Sequence, residues 1–241
     1  MRLVWGDVVR VERERAGIQR LTVNPDEGAG AVAVSYPALS GACVPGDRVL
    51  LNTTAVDLAL GTGGAHVVVA RIGAGQTHPA GVALDDPSGG HVIKLRYTPL
   101  QRDVLAVEAP ESREHGRLID AVDVAGMPVV CCALHSHVPI VAAAIREKSP
   151  DARIAYVMTD GAALPYALSD VMDACVDAGL VDVSVSCGQA FGADIEAVNL
   201  HSGIVAAHHV GDADVALVAI GPGVVGTGTA LGHGVAANPS G

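Results

Sequence analysis

After Arg153 the sequence contains neither lysine nor arginine. Residues 1–153 carry 17 acids against 15 bases, whereas residues 154–241 carry nine acids and no base. Nucleic acid needs a basic track to neutralise its phosphates, and the distal region offers none. A nucleic-acid partner is therefore not expected, and the acids there read as a solvated surface.

Aromatic residues are equally scarce, with one Trp, four Tyr and one Phe. The core must be assembled from Val, Ala, Leu and Ile, which suits short buried strands covered by Ala-rich helices. The cysteines, Cys43, Cys131, Cys132, Cys175 and Cys187, are odd in number and lack C-x-x-C spacing. That argues against a disulfide scaffold or a zinc knuckle and for a reducing, cytoplasmic setting. The start MRLVWGDVVRVERE has no apolar h-region, so no signal peptide is read. Residues 215–241 carry no charged side chain, but Gly and Pro interrupt them too often for a membrane span.

What is present divides by period. At 241 residues two domains are expected. Over 1–104, VVRVERER, an Ala16-Gly17 turn and IQRLTV read as a hairpin, and AVAVSYP, DRVLLNT, HVVVARI and HVIKLRY follow with Gly, Pro and Asp between them. This predicts a β-rich domain, a small barrel or a sandwich. Pro45-Gly46-Asp47 reads as a turn entering a strand. Gly61-Thr62-Gly63-Gly64 reads either as a loop with exposed amides or as an interstrand turn. The charged stretch 105–126 reads as a connection.

From 127 to 241 the apolar runs 128–134, 153–159, 180–186 and 214–220 alternate with Ala-rich segments long enough for one helix each. Such alternation predicts right-handed βαβ crossovers and a Rossmann-like, three-layer α/β domain with a mainly parallel sheet. Ser136, Asp160 and Asp194 are the expected caps of its three helices, with Gly179 ending the second and His208 and His209 at the negative end of the third.

In such a sheet, ligands bind outside the strand carboxyl ends. The residues there are His135-Ser136-His137, Asp160-Gly161, Cys187-Gly188-Gln189 and Gly221-Pro222-Gly223. The run Gly221-Pro-Gly223-Val-Val-Gly226, continued by Thr227, is a literal G-x-G-x-x-G whose amides could hold a phosphate or carboxylate. It follows the fourth strand, and no acid stands about twenty positions on to grip a ribose, so a dinucleotide site is disfavoured. The expected ligand-binding set is Ser136, Gly161, Gly188, Gln189, Gly221, Gly223, Gly226 and Thr227.

His135 and Asp160 are the expected chemical pair, on the premise that adjacent strands bring them together. A carboxylate beside an imidazole fixes its tautomer and makes a general base, and the same pair would suit a divalent metal. The alternative makes both residues helix caps. Cys187 reads as a small buried hydrophobe or as a nucleophile. No cofactor is named by any of these residues.

Several segments together carry a family resemblance: YPAL at 36–39, PGDRVLLNTTAVDLALGTGG at 45–64, RYTPLQ at 96–101, ALHS at 133–136, ARIAYVMTDGAALP at 152–165, GQAFGADIEAVNLHSG at 188–203 and GPGVVGTGTALG at 221–232. On these the chain resembles the bacterial domain of unknown function 3866 family. The resemblance brings no activity with it. It implies proteins that continue past the glycine loop into a further helix and a His-rich segment, and hence a shortened chain here.

Two functions follow as expectations. One is a small-molecule enzyme or binding protein, with its pocket at the strand ends facing the β-rich domain. The other is a non-catalytic assembly or regulatory module whose glycine loops form a subunit contact in a homo-oligomer.

Overall fold

The computed structural model describes residues 1–60, 64–77, 89–229 and 232. Contacts divide the chain into two units, Met1–Pro87 and Ser88–Gly241.

In the first unit β1 (Leu3–Arg15) and β2 (Ile18–Pro25) form the expected hairpin around Gly17, whose positive φ of 79° suits the turn. They are followed by β3 (Ala31–Ser35), a short helix α1 (Pro37–Ser40), β4 (Arg48–Asn52), a second short helix α2 (Thr54–Asp57) and β5 (Ala65–Ile72). The strands close in the order β1-β2-β3-β5-β4, so the barrel alternative holds and the sandwich does not. Closure depends on β3 running parallel to β5, while the other pairs are antiparallel. Val8, Leu21, Val23, Ala33, Val49, Leu51 and Val68 fill the interior. The Pro45-Gly46-Asp47 turn is locked by Asp47, whose buried carboxylate accepts from the Val44 and Ala74 amides and from Arg71. Gly61, Thr62 and Gly63 of the second glycine loop lie outside the described residues.

The sixth run, HVIKLRY, does not join the barrel. Its strand β6 (Val92–Lys94) pairs with β7 (Arg102–Val104) in a separate ribbon that belongs to the second unit. Residues 105–126 also pack into that unit and do not serve as a bare connection. Ala106, Val107 and Ala109 are buried, the Val107 amide donates to the Glu196 carbonyl, and a short helix α3 (His115–Leu118) follows. Sequence alone missed this because the burial falls on isolated small residues without a period.

The second unit continues as β8 (Val129–Cys131), α4 (Val138–Lys148), β9 (Ile154–Thr159), α5 (Asp170–Asp177), β10 (Val183–Ser186), β11 (Ile195–Glu196), α6 (Leu200–His209) and β12 (Val215–Ile220). The four expected strands are present, and all pairings are parallel, in the order β11-β10-β9-β12-β8. Alternation along β9 sends Ile154, Tyr156 and Met158 to one face, where they meet Val138 and Ala142 of α4 and Met172 and Cys175 of α5. Ala155 and Val157 turn to the other face and meet Ala207 of α6. Burial on both faces is why β9 and β12 read as unbroken apolar runs.

None of the expected helix caps is used. The turn of 3-10 helix His135–His137 precedes α4, Ser136 is exposed, and no side chain caps that helix. Ser169 caps α5 by accepting the Met172 amide, and Asn199 caps α6 in a reciprocal box with Ser202. Asp160 and Asp194 instead accept from the far side of loops, Asp160 from the Gln189 amide and Asp194 from Ser184. Gly179 does end α5 in the left-handed region, at φ 66°.

Candidate functional site

The strand order sets the site. Because β12 lies between β8 and β9, the residues after β8 and β9 are not neighbours, which overturns the premise of a His135–Asp160 pair. His135 reaches instead over the end of β12. Its Nδ1 lies 3.1 Å from the Tyr156 hydroxyl and 3.3 Å from the Ile220 carbonyl oxygen, and its Nε2 lies 2.6 Å from Ser169 Oγ. Tyr156 donates its own hydroxyl hydrogen to the Ile220 carbonyl at 3.0 Å. Both His135 and Ser169 are buried, at 8% and 4% exposure. Burial lowers the imidazole pKa, opposed by the bond to Ile220, and so disfavours the charged ring.

The glycines at the strand ends serve close packing between loops. A Cβ on Gly161 would stand 2.8 Å from Ile220 Cγ2, one on Gly188 would collide with the Asp160 carboxylate, and one on Gly221 with the Ala163 carbonyl. The loops are also tied by hydrogen bonds. The Ala163 amide donates to Pro222, the Phe191 amide to Leu164, and the Tyr166 amide back to Phe191. Gln189 is fixed at both ends, its amide on Asp160 and its side-chain oxygen accepting from the Arg96 amide at 3.0 Å.

Gly223, Gly226 and Thr227 differ, since they are exposed and a Cβ on either glycine would meet nothing within 4 Å. The run does not open into a helix among the described residues, as a nucleotide-binding glycine turn requires. Thr227 closes a turn of its own, donating from Oγ1 to the Gly232 carbonyl at 2.7 Å.

A second polar cluster lies at the end of β10. Lys94 is fully buried and donates to the Ala190 and Ala197 carbonyls at 2.9 and 3.0 Å, with Glu196 Oε2 3.4 Å away. Glu196 also accepts from Ser186 and from the Gly192 amide. Cys187 is 2% exposed, and burial pushes its thiol up to about 12, against the nearby Lys94 charge. Of the two readings, the buried hydrophobe describes it. Among the described residues no group of three or more His, Cys, Asp or Glu side chains is placed to hold a metal.

Ser169, Tyr156 and Lys94 were not expected at the site. Ser169 had a usable signal, because Ser-Asp stands directly before the amphipathic run of α5. Lys94 and Tyr156 had none, each being one polar group within an apolar strand.

The family model described as "Protein of unknown function (DUF3866)" matches residues 32–239. The chain belongs to the DUF3866 family. The matched stretch begins inside β3 and takes in the rest of the barrel and all the described residues of the second unit, so it spans both the His135 and the Lys94 clusters of this chain. No curated protein and no solved structure matches the chain. Among the described residues no helix is long and apolar enough to cross a membrane.

Proposed function

We propose that the second unit is a Rossmann-like, three-layer domain that binds and converts a small molecule at the carboxyl ends of its strands, with His135 as the reacting base. The observation that carries this reading is the His135 ring, buried at a strand end and held at both nitrogens by groups from three other segments. A neutral imidazole fixed in one orientation is what proton transfer requires. The orienting role expected of Asp160 passes to Ile220 and Tyr156. Ser136, Gly161, Gly223, Gly226 and Thr227 are the exposed members of the ligand-binding set, with Gly188, Gln189 and Gly221 shaping the loops beside them. Five free cysteines suit work in the cytoplasm.

Nuclear magnetic resonance with nucleotides, acyl-carrier fragments and divalent metals tests the reading. Ligand-induced shifts at residues 135–136, 160–169 or 221–227 that vanish in His135→Gln support it. Absence of shifts with the whole panel would sink it.

The assembly reading is favoured by a different observation. The sheet edge β8 and helix α4 expose Val129 and Ile140, beside an apolar groove of about 400 Å³ lined by Val130, Val141, Ala144 and Ile145. Sedimentation of the intact protein separates the two: a concentration-independent monomer speaks against a homo-oligomer built on that edge.

A further inference from the structure

We propose that Ser169 is a nucleophile activated by His135, and that the substrate is a small ester or thioester. This inference rests on the reading that the second unit acts on a small molecule at its strand ends.

Hydrogen positions decide the roles. Tyr156 spends its one hydroxyl hydrogen on the Ile220 carbonyl. His135 Nδ1 therefore faces two acceptor oxygens, that carbonyl and the Tyr156 hydroxyl, and carries the ring proton. Nε2 is left bare, and at 2.6 Å it accepts from the Ser169 hydroxyl. A serine hydroxyl on a bare imidazole nitrogen, with the opposite nitrogen pinned by an acceptor, is the working order of a nucleophile, a base and an orienter.

The surroundings of Oγ serve the same end. Ser169 Oγ accepts the Met172 amide at 3.0 Å and stands at the positive end of α5, an eight-residue helix. Both place positive potential at Oγ, which favours loss of its proton to Nε2 during attack. A cap alone would need only the accepting half of this arrangement. The donating half is directed at Nε2, the nitrogen free to take up the proton.

Asp170 and Asp173 follow Ser169 in the first turn of α5. The small exposure of Ser169 favours a short acyl chain.

The reaction balances with water as the co-reactant. Oγ attacks the carbonyl carbon while its proton passes to Nε2. The bond to the alkoxide or thiolate then breaks, and that group leaves with the Nε2 proton. Water next attacks the acyl-serine and gives a proton to Nε2, the acyl–Oγ bond breaks, and Oγ regains its proton. One ester and one water yield one acid and one alcohol, with no change of oxidation state.

The test uses the intact protein and diisopropyl fluorophosphate, a small neutral reagent for activated serines, with adducts located by peptide mass. The expected result is one adduct on Ser169, formed about a hundredfold more slowly in His135→Gln and more slowly as pH falls. Ser169→Asn keeps a good helix cap and removes the nucleophile, so the adduct should disappear while the protein stays folded. A folded wild-type protein without an adduct on Ser169, or with equal labelling in His135→Gln, overturns the inference. If ligand-induced shifts persist at the strand ends while Ser169 stays unlabelled, only the serine chemistry fails; if both are absent, the small-molecule reading fails with it.

Discussion

Lys94 Nζ and Glu196 Oε2 stand 3.4 Å apart inside the second unit, with the lysine fully buried. The same ammonium holds the Ala190 and Ala197 carbonyls, so it fastens the loop between β10 and α6. Lys94→Met removes the charge and leaves the Glu196 carboxylate without its cation, which costs about 3–5 kcal/mol. Adding Glu196→Gln should recover part of that loss. Urea unfolding of the single and double variants measures both, and a cost under about 1 kcal/mol for Lys94→Met would contradict the burial of the pair.

Gly203 and Cys187 set a second expectation. A Cβ at Gly203, within α6, would collide with the Cys187 sulfur. Gly203→Ala gains helix propensity of up to about 1 kcal/mol but forces this overlap, and a net loss of about 1–3 kcal/mol is expected. Cys187→Ala removes the obstructing atom, so the double variant should be more stable than the sum of the singles. Additive losses would place the two side chains out of contact.

Thiol reactivity should sort by environment. Burial pushes the Cys187 thiol up to about 12 and raises that of Cys43, whereas Cys131 is exposed on the edge strand β8. Iodoacetamide at pH 8 on the folded protein should therefore label Cys131 and spare Cys187 and Cys43 until denaturant is added. Early labelling of Cys187 would mean that its surroundings open in the native state.

Acid should weaken the protein through His135. Its folded pKa lies below the unfolded value of 6.5, because burial penalises the charged ring. The unfolded chain then binds the proton more readily, so this contribution is complete above the unfolded pKa and is lost as pH falls through the folded one. Urea midpoints at pH 7.5 and pH 5 should differ more for the wild type than for His135→Gln. Equal differences would assign the acid sensitivity elsewhere.

Much of the architecture was readable in the residues, for reasons that also explain what was not. The unbroken apolar runs of β9 and β12 and the hairpin around Gly17 are local patterns, and they formed where expected. Strand order is not local. Nothing in the runs indicates that β12 inserts between β8 and β9, and the choice of Asp160 as partner for His135 depended on that order. Helix starts failed for a simpler reason: Asp160 stands directly before the second Ala-rich segment, but a turn of 3-10 helix at Tyr166–Leu168 intervenes and α5 begins only after Ser169. The strand-end glycines were read as part of a ligand-binding set, whereas at Gly161, Gly188 and Gly221 the close approach seen is that of neighbouring loops.

The place of β12 also dictates when the second sheet can be completed. Among the described residues β8 has no other strand beside it than β12, whose residues leave the ribosome long after those of β8. Until then the β9-β10-β11 portion can assemble, with α4 packed on β9, while β8 waits without a strand beside it. Ser169 and Tyr156 are made earlier, yet the Ile220 carbonyl that fixes the imidazole arrives only with the last strand. Nascent chains halted before Val215 should thus hold the partial sheet without a set His135, and the long sequence separation of this contact makes sheet closure the slow step of folding.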